Sequence, residues 1–191
     1  MRQRLRTGLA PLHERLDARI TATCLSPRTD VRRLLAIHAY AFPPVAAGLR
    51  AAGAARLWPD WDGPARLAAL SAELEPGPLP GEAFPPERFA TEGMAWGGLY
   101  ALLGARLGNR VILRRLAEAG EPADSAFLRP GADDASEWRR FLDRLEAALG
   151  RAEPVACSGA IEGAALVMER YLDAAERLGR RAAARIGERL H

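Results

Sequence analysis

The sequence predicts an all-α fold: a single-domain helical bundle over residues 1–191, with its core in about 2–180. Three observations carry this. Leucine and isoleucine recur at three- and four-residue intervals, the spacing that lines one face of a helix. Strand-type alternation is nowhere sustained, and aromatic residues make up only 6% of the chain. Proline- and glycine-rich stretches fall between the periodic segments and punctuate them. With 49% hydrophobic residues, 191 positions are enough for one sizeable core.

Residues 2–23 place Leu5, Leu9, Leu12, Leu16 and Ile20 on one stripe, and Pro11 inside it predicts a kink or a late helix start. After a turn at 26–30, a second helix runs through VRRLLAIHAYAF and, bent at Pro43 and Pro44, through VAAGLRAAG. Trp58-Pro-Asp-Trp61 is a turn, and ARLAALSAEL is a short third helix. The segment PGPLPGEAFPP, at 76–86, is a loop between two helical halves whose apolar faces depend on one another. A long helix from about 87 to 118, the loop EPADSAFLRPGADD, the helix SEWRRFLDRLEAALG and a final helix from about 155 complete the bundle.

Composition narrows the function classes. The formal charge is +3 and the isoelectric point near 9.4, but every one of the 27 basic residues is arginine, as expected of a compositional bias. These arginines alternate with 24 acidic residues along helix faces instead of forming a block, which argues against a nucleic-acid partner. Cys24 and Cys157 stand apart with no CxxC, so neither a zinc knuckle nor a disulfide framework is indicated. The amino terminus is charged throughout, and no apolar run approaches the roughly 20 residues of a membrane span. The expectation is a cytoplasmic protein with no membrane or nucleic-acid partner.

Candidate chemistry is sparse. His13 lies four after Leu9 and three before Leu16, which predicts a place on the buried stripe of the first helix. Asp17 is one turn on, where a carboxylate can accept the Nδ1 proton and leave Nε2 free for a metal; a satisfied core histidine beside a solvated aspartate is the plainer alternative. His38 has Phe42 at i+4 and reads as structural. No ExxH pair, GxSxG or GxGxxG appears. In LYALLGARLGNRVI, Gly104 and Gly108 lie one turn apart on one face, although each glycine in a helix interior costs about 1 kcal/mol relative to alanine. Either another helix packs closely there, or a flat ligand does. A flat ligand held from the far side by one imidazole is haem.

These features resemble the haem oxygenase family, in particular its bacterial, biliverdin-producing branch associated with bacteriophytochromes. LRTGLAPLHERLD, at 5–17, resembles the family's first helix. The resemblance makes His13 the proximal iron ligand, Asp17 the acid that orients it, and Arg6 a partner for a haem propionate. GLYALLGARLGNRVILRRL resembles the distal helix, which kinks over the haem at two glycines, here Gly104 and Gly108. FLRPG, at 127–131, and Trp138-x-x-Phe141 match further landmarks of the branch.

Position 105, where relatives carry serine or aspartate, is alanine in this chain. Asn109 and Arg106 are the candidates to anchor water in its place. The resemblance implies cleavage of haem to biliverdin, carbon monoxide and iron, with haem as both cofactor and substrate, and with O2 and electrons from a separate ferredoxin or reductase. Arg139 would share the propionate task, and a bacteriophytochrome could receive the biliverdin. Two other readings stay open: a carrier or sensor of the same fold that binds haem without turnover, and a member of the same helical superfold that needs no haem, such as a thiaminase-like enzyme or an interaction scaffold.

Overall fold

The computed structural model describes residues 1–24, 31–74, 77–120, 125–129, 134–150 and 154–188. The expected turn at 26–30, Pro130 and Gly131 of FLRPG, and the C-terminal residues beyond 188 lie outside them. Seven helices are present among the described residues, and no strand: α1 (Arg2–Cys24), α2 (Val31–Ala51), α3 (Ala54–Leu57), α4 (Gly63–Glu73), α5 (Glu92–Glu118), α6 (Asp134–Leu149) and α7 (Pro154–Glu188). The fold is all-α, as the periodicity predicts. No helix among the described residues is long and apolar enough to cross a membrane.

Helix α7 is the hub, with α5, α1 and α2 packed along it. Its contact with α5 is made backbone to backbone. A β-carbon on Gly97 would overlap the carbonyl oxygen of Ala160, and one on Gly163 would overlap that of Met94. Gly93-x-x-x-Gly97 and Gly159-x-x-x-Gly163 therefore let the two axes approach more closely than side chains would permit. The buried apolar residues on either side, including Leu5, Ile37, Leu49, Leu99, Phe141 and Ala164, belong to one continuous cluster.

Three local features depart from the expectation, each for a physical reason. α2 continues through Pro43 and Pro44, although these prolines remove the amide donors of the Ala39 and Tyr40 carbonyls. Gly81 lies directly against those two carbonyls, with no room for a β-carbon. It belongs to a short 3₁₀ turn, Pro80–Ala83, inside the stretch expected to be irregular, and the Leu79 amide donates to Glu82 Oε2 at 3.1 Å. α5 starts at Glu92 and not near 87, because Thr91 caps it, its hydroxyl accepting from the Met94 amide at 3.2 Å. The preceding chain is fastened to α2 by a 2.9 Å hydrogen bond from the Glu87 amide to the Pro44 carbonyl.

Candidate functional site

Helices α1 and α5 both pack on α7 yet make little direct contact with each other. What faces the space beside them follows from helical spacing. Arg6 and His13 are seven residues apart, close to two full turns, and so share one side of α1. Burial pushes the half-buried Tyr100 hydroxyl above its ordinary pKa, and the Arg6 guanidinium opposes that shift, so Arg6 lies near Tyr100. Tyr100, Gly104 and Gly108 follow one another at single-turn intervals along α5. Arg6, on the same side of α1 as His13, thus lies toward Tyr100 of α5.

The glycines on that side differ from those at the α5–α7 contact. A β-carbon on Gly108 would meet nothing within 4 Å, and one on Gly104 would meet only the Trp138 ring, at 3.5 Å. Close helix packing accounts for Gly93 and Gly97 and leaves Gly104 and Gly108 unaccounted for. Trp138, on α6, sits 5.3 Å from the Tyr100 ring and stacks on the buried Phe141 at 5.7 Å. It therefore forms an aromatic edge to the bare stretch of α5.

His13 Nδ1 lies 2.9 Å from Asp17 Oδ2, the contact its i,i+4 spacing predicts. The expectation that His13 is buried needs correction, since its side chain is 60% exposed. Leu5 and Leu9 fill the core and Leu12 and Leu16 are half-buried, so His13 falls on the edge of the stripe, where no helix among the described residues buries it. The result is an imidazole with one nitrogen held by a carboxylate and the other directed away from that partner.

Arg106 is buried and paired within the protein. Its side chain is only 6% exposed; one guanidinium nitrogen contacts Asp62 and the other lies 2.8 Å from Glu137. Both carboxylates belong to the protein, so the charge is neutralised internally and does not stand ready for an external anion. Arg139 is exposed on α6, one residue beyond Trp138.

Asn109 is buried and turns away from the bare side of α5. It hydrogen bonds the ring of His38, whose Nδ1 is 2.9 Å from the Tyr171 hydroxyl. Burial, reinforced by the Arg66 charge, pushes His38 down to about 3. The ring is thus neutral near pH 7. The Asn109 contact favours the charged ring, so the amide oxygen accepts a ring N–H. With Nδ1 facing Tyr171, the donating nitrogen is Nε2, and the Tyr171 O–H donates to Nδ1. A small cavity adjoins this chain, lined by His38, Trp61, Ala105, Arg106, Asn109 and Tyr171 among others.

Tyr171, Trp61 and Arg66 were not singled out from the sequence. Tyr171 is one hydroxyl in an otherwise ordinary helical segment, and its partner His38 is 133 residues away, so no local spacing announces the pair.

No protein-family model matches the chain, and no solved structure matches it. A protein of Xanthomonas campestris pv. campestris (strain 8004) named "Heme oxygenase" is 32% identical to it over 102 residues, 50% of this chain and 62% of that relative. The chain thus spans less than two thirds of the length of the relative it matches.

Proposed function

We propose that the chain is a haem oxygenase of the bacterial, biliverdin-producing branch, with haem seated between α1 and α5. The observation that carries this reading is the contrast among the α5 glycines. Gly93 and Gly97 are explained by α7, while a β-carbon on Gly108 would meet nothing within 4 Å and one on Gly104 only the Trp138 ring, and the His13 imidazole is itself exposed. The similarity to a protein named heme oxygenase supports it independently.

The residues fit the group. His13 Nε2 would hold the iron, with Asp17 accepting the Nδ1 proton and so fixing the tautomer and ring orientation. Arg6 would pair with a haem propionate from α1, and Arg139 of α6 would share that task. Gly104 and Gly108 let the α5 backbone lie against the flat face, where any side chain would force it away. Bound haem supplies an iron centre for O2 and a macrocycle that is opened to biliverdin, carbon monoxide and iron. Electrons come from an external ferredoxin or reductase, and a bacteriophytochrome is the candidate acceptor of biliverdin. The setting is cytoplasmic.

One observation favours a second reading, a haem carrier or sensor: Ala105, exposed between the two glycines, offers no polar group. Titration with haemin separates the readings. Wild type gains a Soret band that His13→Ala weakens or shifts, and with reductant and O2 the band decays as biliverdin absorbance grows. A stable Soret band under turnover conditions selects the carrier, and protein that stays colourless in excess haemin rejects both.

A further inference from the structure

Helix α5 is fixed at two places by different means. Its first turns meet α7 backbone to backbone, at Gly93 and Gly97. Further along, Arg106 turns its guanidinium into the protein, with one nitrogen on Asp62, just ahead of α4, and the other 2.8 Å from Glu137, in the first turn of α6. Arg106 is two residues from both Gly104 and Gly108, which puts it about half a turn from each. The ion pairs therefore hold α5 from behind its bare side.

Stability alone does not call for a charge at that point. Removing a guanidinium and its carboxylate partners from water costs as much as their attraction commonly returns, and an apolar side chain of similar volume often serves as well. What the charge adds is direction. A guanidinium is planar and its N–H groups form a rigid fork, so contact with two carboxylates at once fixes where Asp62 and Glu137 stand relative to the α5 axis. A second ion pair spans the same junction, from Arg140 to Asp60 at 3.1 Å, but both of its side chains are exposed and such pairs contribute little.

Glu137 leads directly into the residues that edge the site. Trp138 lies 3.5 Å from the place of a Gly104 β-carbon and 5.3 Å from the Tyr100 ring, and Arg139 follows it on α6. The spacing between α5 and this edge is thus governed one residue away, where Arg106 grips Glu137.

We propose that Arg106 is a positioning residue: by bridging Asp62 and Glu137 it holds the Gly104–Gly108 side of α5 and the Trp138–Arg139 edge of α6 at one spacing, so that the flat face and the rim of a single ligand are met together. The inference rests on the haem reading above and deepens it. Arg106 touches no part of the haem. Its contribution is precision, since a binding site must hold its groups to within about 0.5 Å of the productive geometry.

Haemin binding by the full chain tests the bridge. Arg106→Lys keeps the charge, but one ammonium cannot replace a fork that spans two carboxylates, and Glu137→Gln removes one arm. Each should lower haemin affinity about fivefold, and the double variant should lose no more than the weaker-binding single one, because both break the same bridge. The haem methyl resonances in the proton NMR spectrum of the ferric, cyanide-bound protein should move as well, since they read the rotation of the macrocycle about its axial bond. Thermal unfolding without haemin sets a temperature at which every variant is folded, and Glu137→Gln with Asp62→Asn forms the pair if Arg106→Lys does not fold. Arg106→Lys protein that matches wild type in affinity and methyl resonances would mean that no fork is needed, and losses that add in the double variant would mean that the two residues act separately. Either result overturns the positioning role and leaves the haem reading intact. Wild type that takes up no haemin overturns the haem reading, and this role with it.

Discussion

At the scale of single residues, burial separates the two histidines of the described helices. His13 is exposed and held at one nitrogen; His38 is enclosed, with both nitrogens engaged. Enclosure has a consequence for stability. The folded pKa of His38, about 3, lies below the 6.5 of an unfolded chain, so between these values the unfolded state binds more protons. The contribution of the neutral ring is complete above about pH 6.5 and is lost as pH falls toward 3. Urea unfolding at several pH values should show a slope approaching roughly 1 kcal/mol per pH unit in that window. His38→Gln, which does not titrate, should flatten it; an unchanged slope would place the acid sensitivity elsewhere. For His13 the expected effect lies in binding. Asp17→Asn weakens haemin affinity by about tenfold, since partners that orient a ligating histidine typically contribute 10–100-fold, and titration against wild type measures it. The pairing of His13 with Asp17 was legible, because i,i+4 spacing alone brings them together. The exposure of His13 was not, because burial depends on which helix covers a stripe, and nothing local states that none covers its edge.

Among the helices, α5 uses glycine in two ways along one length. Gly97 meets the Ala160 carbonyl with no room for a methyl, so Gly97→Ala should force α5 from α7 and destabilise by about 1–3 kcal/mol, the range for overpacked interiors. Gly108 has open space, and in the ligand-free protein Gly108→Ala should stabilise by about 0.5–1 kcal/mol through helix propensity. The same Gly108→Ala should lower haemin affinity, because the methyl stands where the flat face must lie. Thermal unfolding and haemin titration of both variants check the pair. If Gly108→Ala stabilises and binds haemin as wild type does, the bare face is not a ligand surface. Four of the five glycines of α5 fall one turn apart in two pairs, and the sequence does not tell the pairs apart, since the difference is set by α7, more than 40 positions further along. The turn of Asn109 toward the core was hidden for a related reason. A helical wheel places it a third of a turn from Gly108, and only the presence of His38 and Tyr171 on that side makes inward the polar direction.

Across the whole molecule, α7 organises the bundle and α6 closes one end of the space between α1 and α5. The Arg2 guanidinium reaches Asp143 on α6, and Glu137 on α6 reaches Arg106 on α5. Arg106 also contacts Asp62 just before α4, so one buried cation joins three segments of chain. Toward its C-terminal half, α1 has lighter support: Leu12, Leu16 and Ile20 are half-buried, in contrast to the enclosed Leu5 and Leu9. Local opening follows buried contact, so amides from about residue 12 onward should exchange with solvent faster than those of α5 or the middle of α7 in the ligand-free protein. On the proposed function, a ligand held by His13 and resting on Gly104 and Gly108 would join α1 to α5. Haemin at 100 times its dissociation constant should raise stability by about 2.7 kcal/mol, and hydrogen exchange should locate the gain. Protection should rise in α1 around His13 and in α5 around Gly104–Gly108 together, and His13→Ala should abolish both. Protection confined to one helix would mean that the ligand rests on a surface and does not span the two.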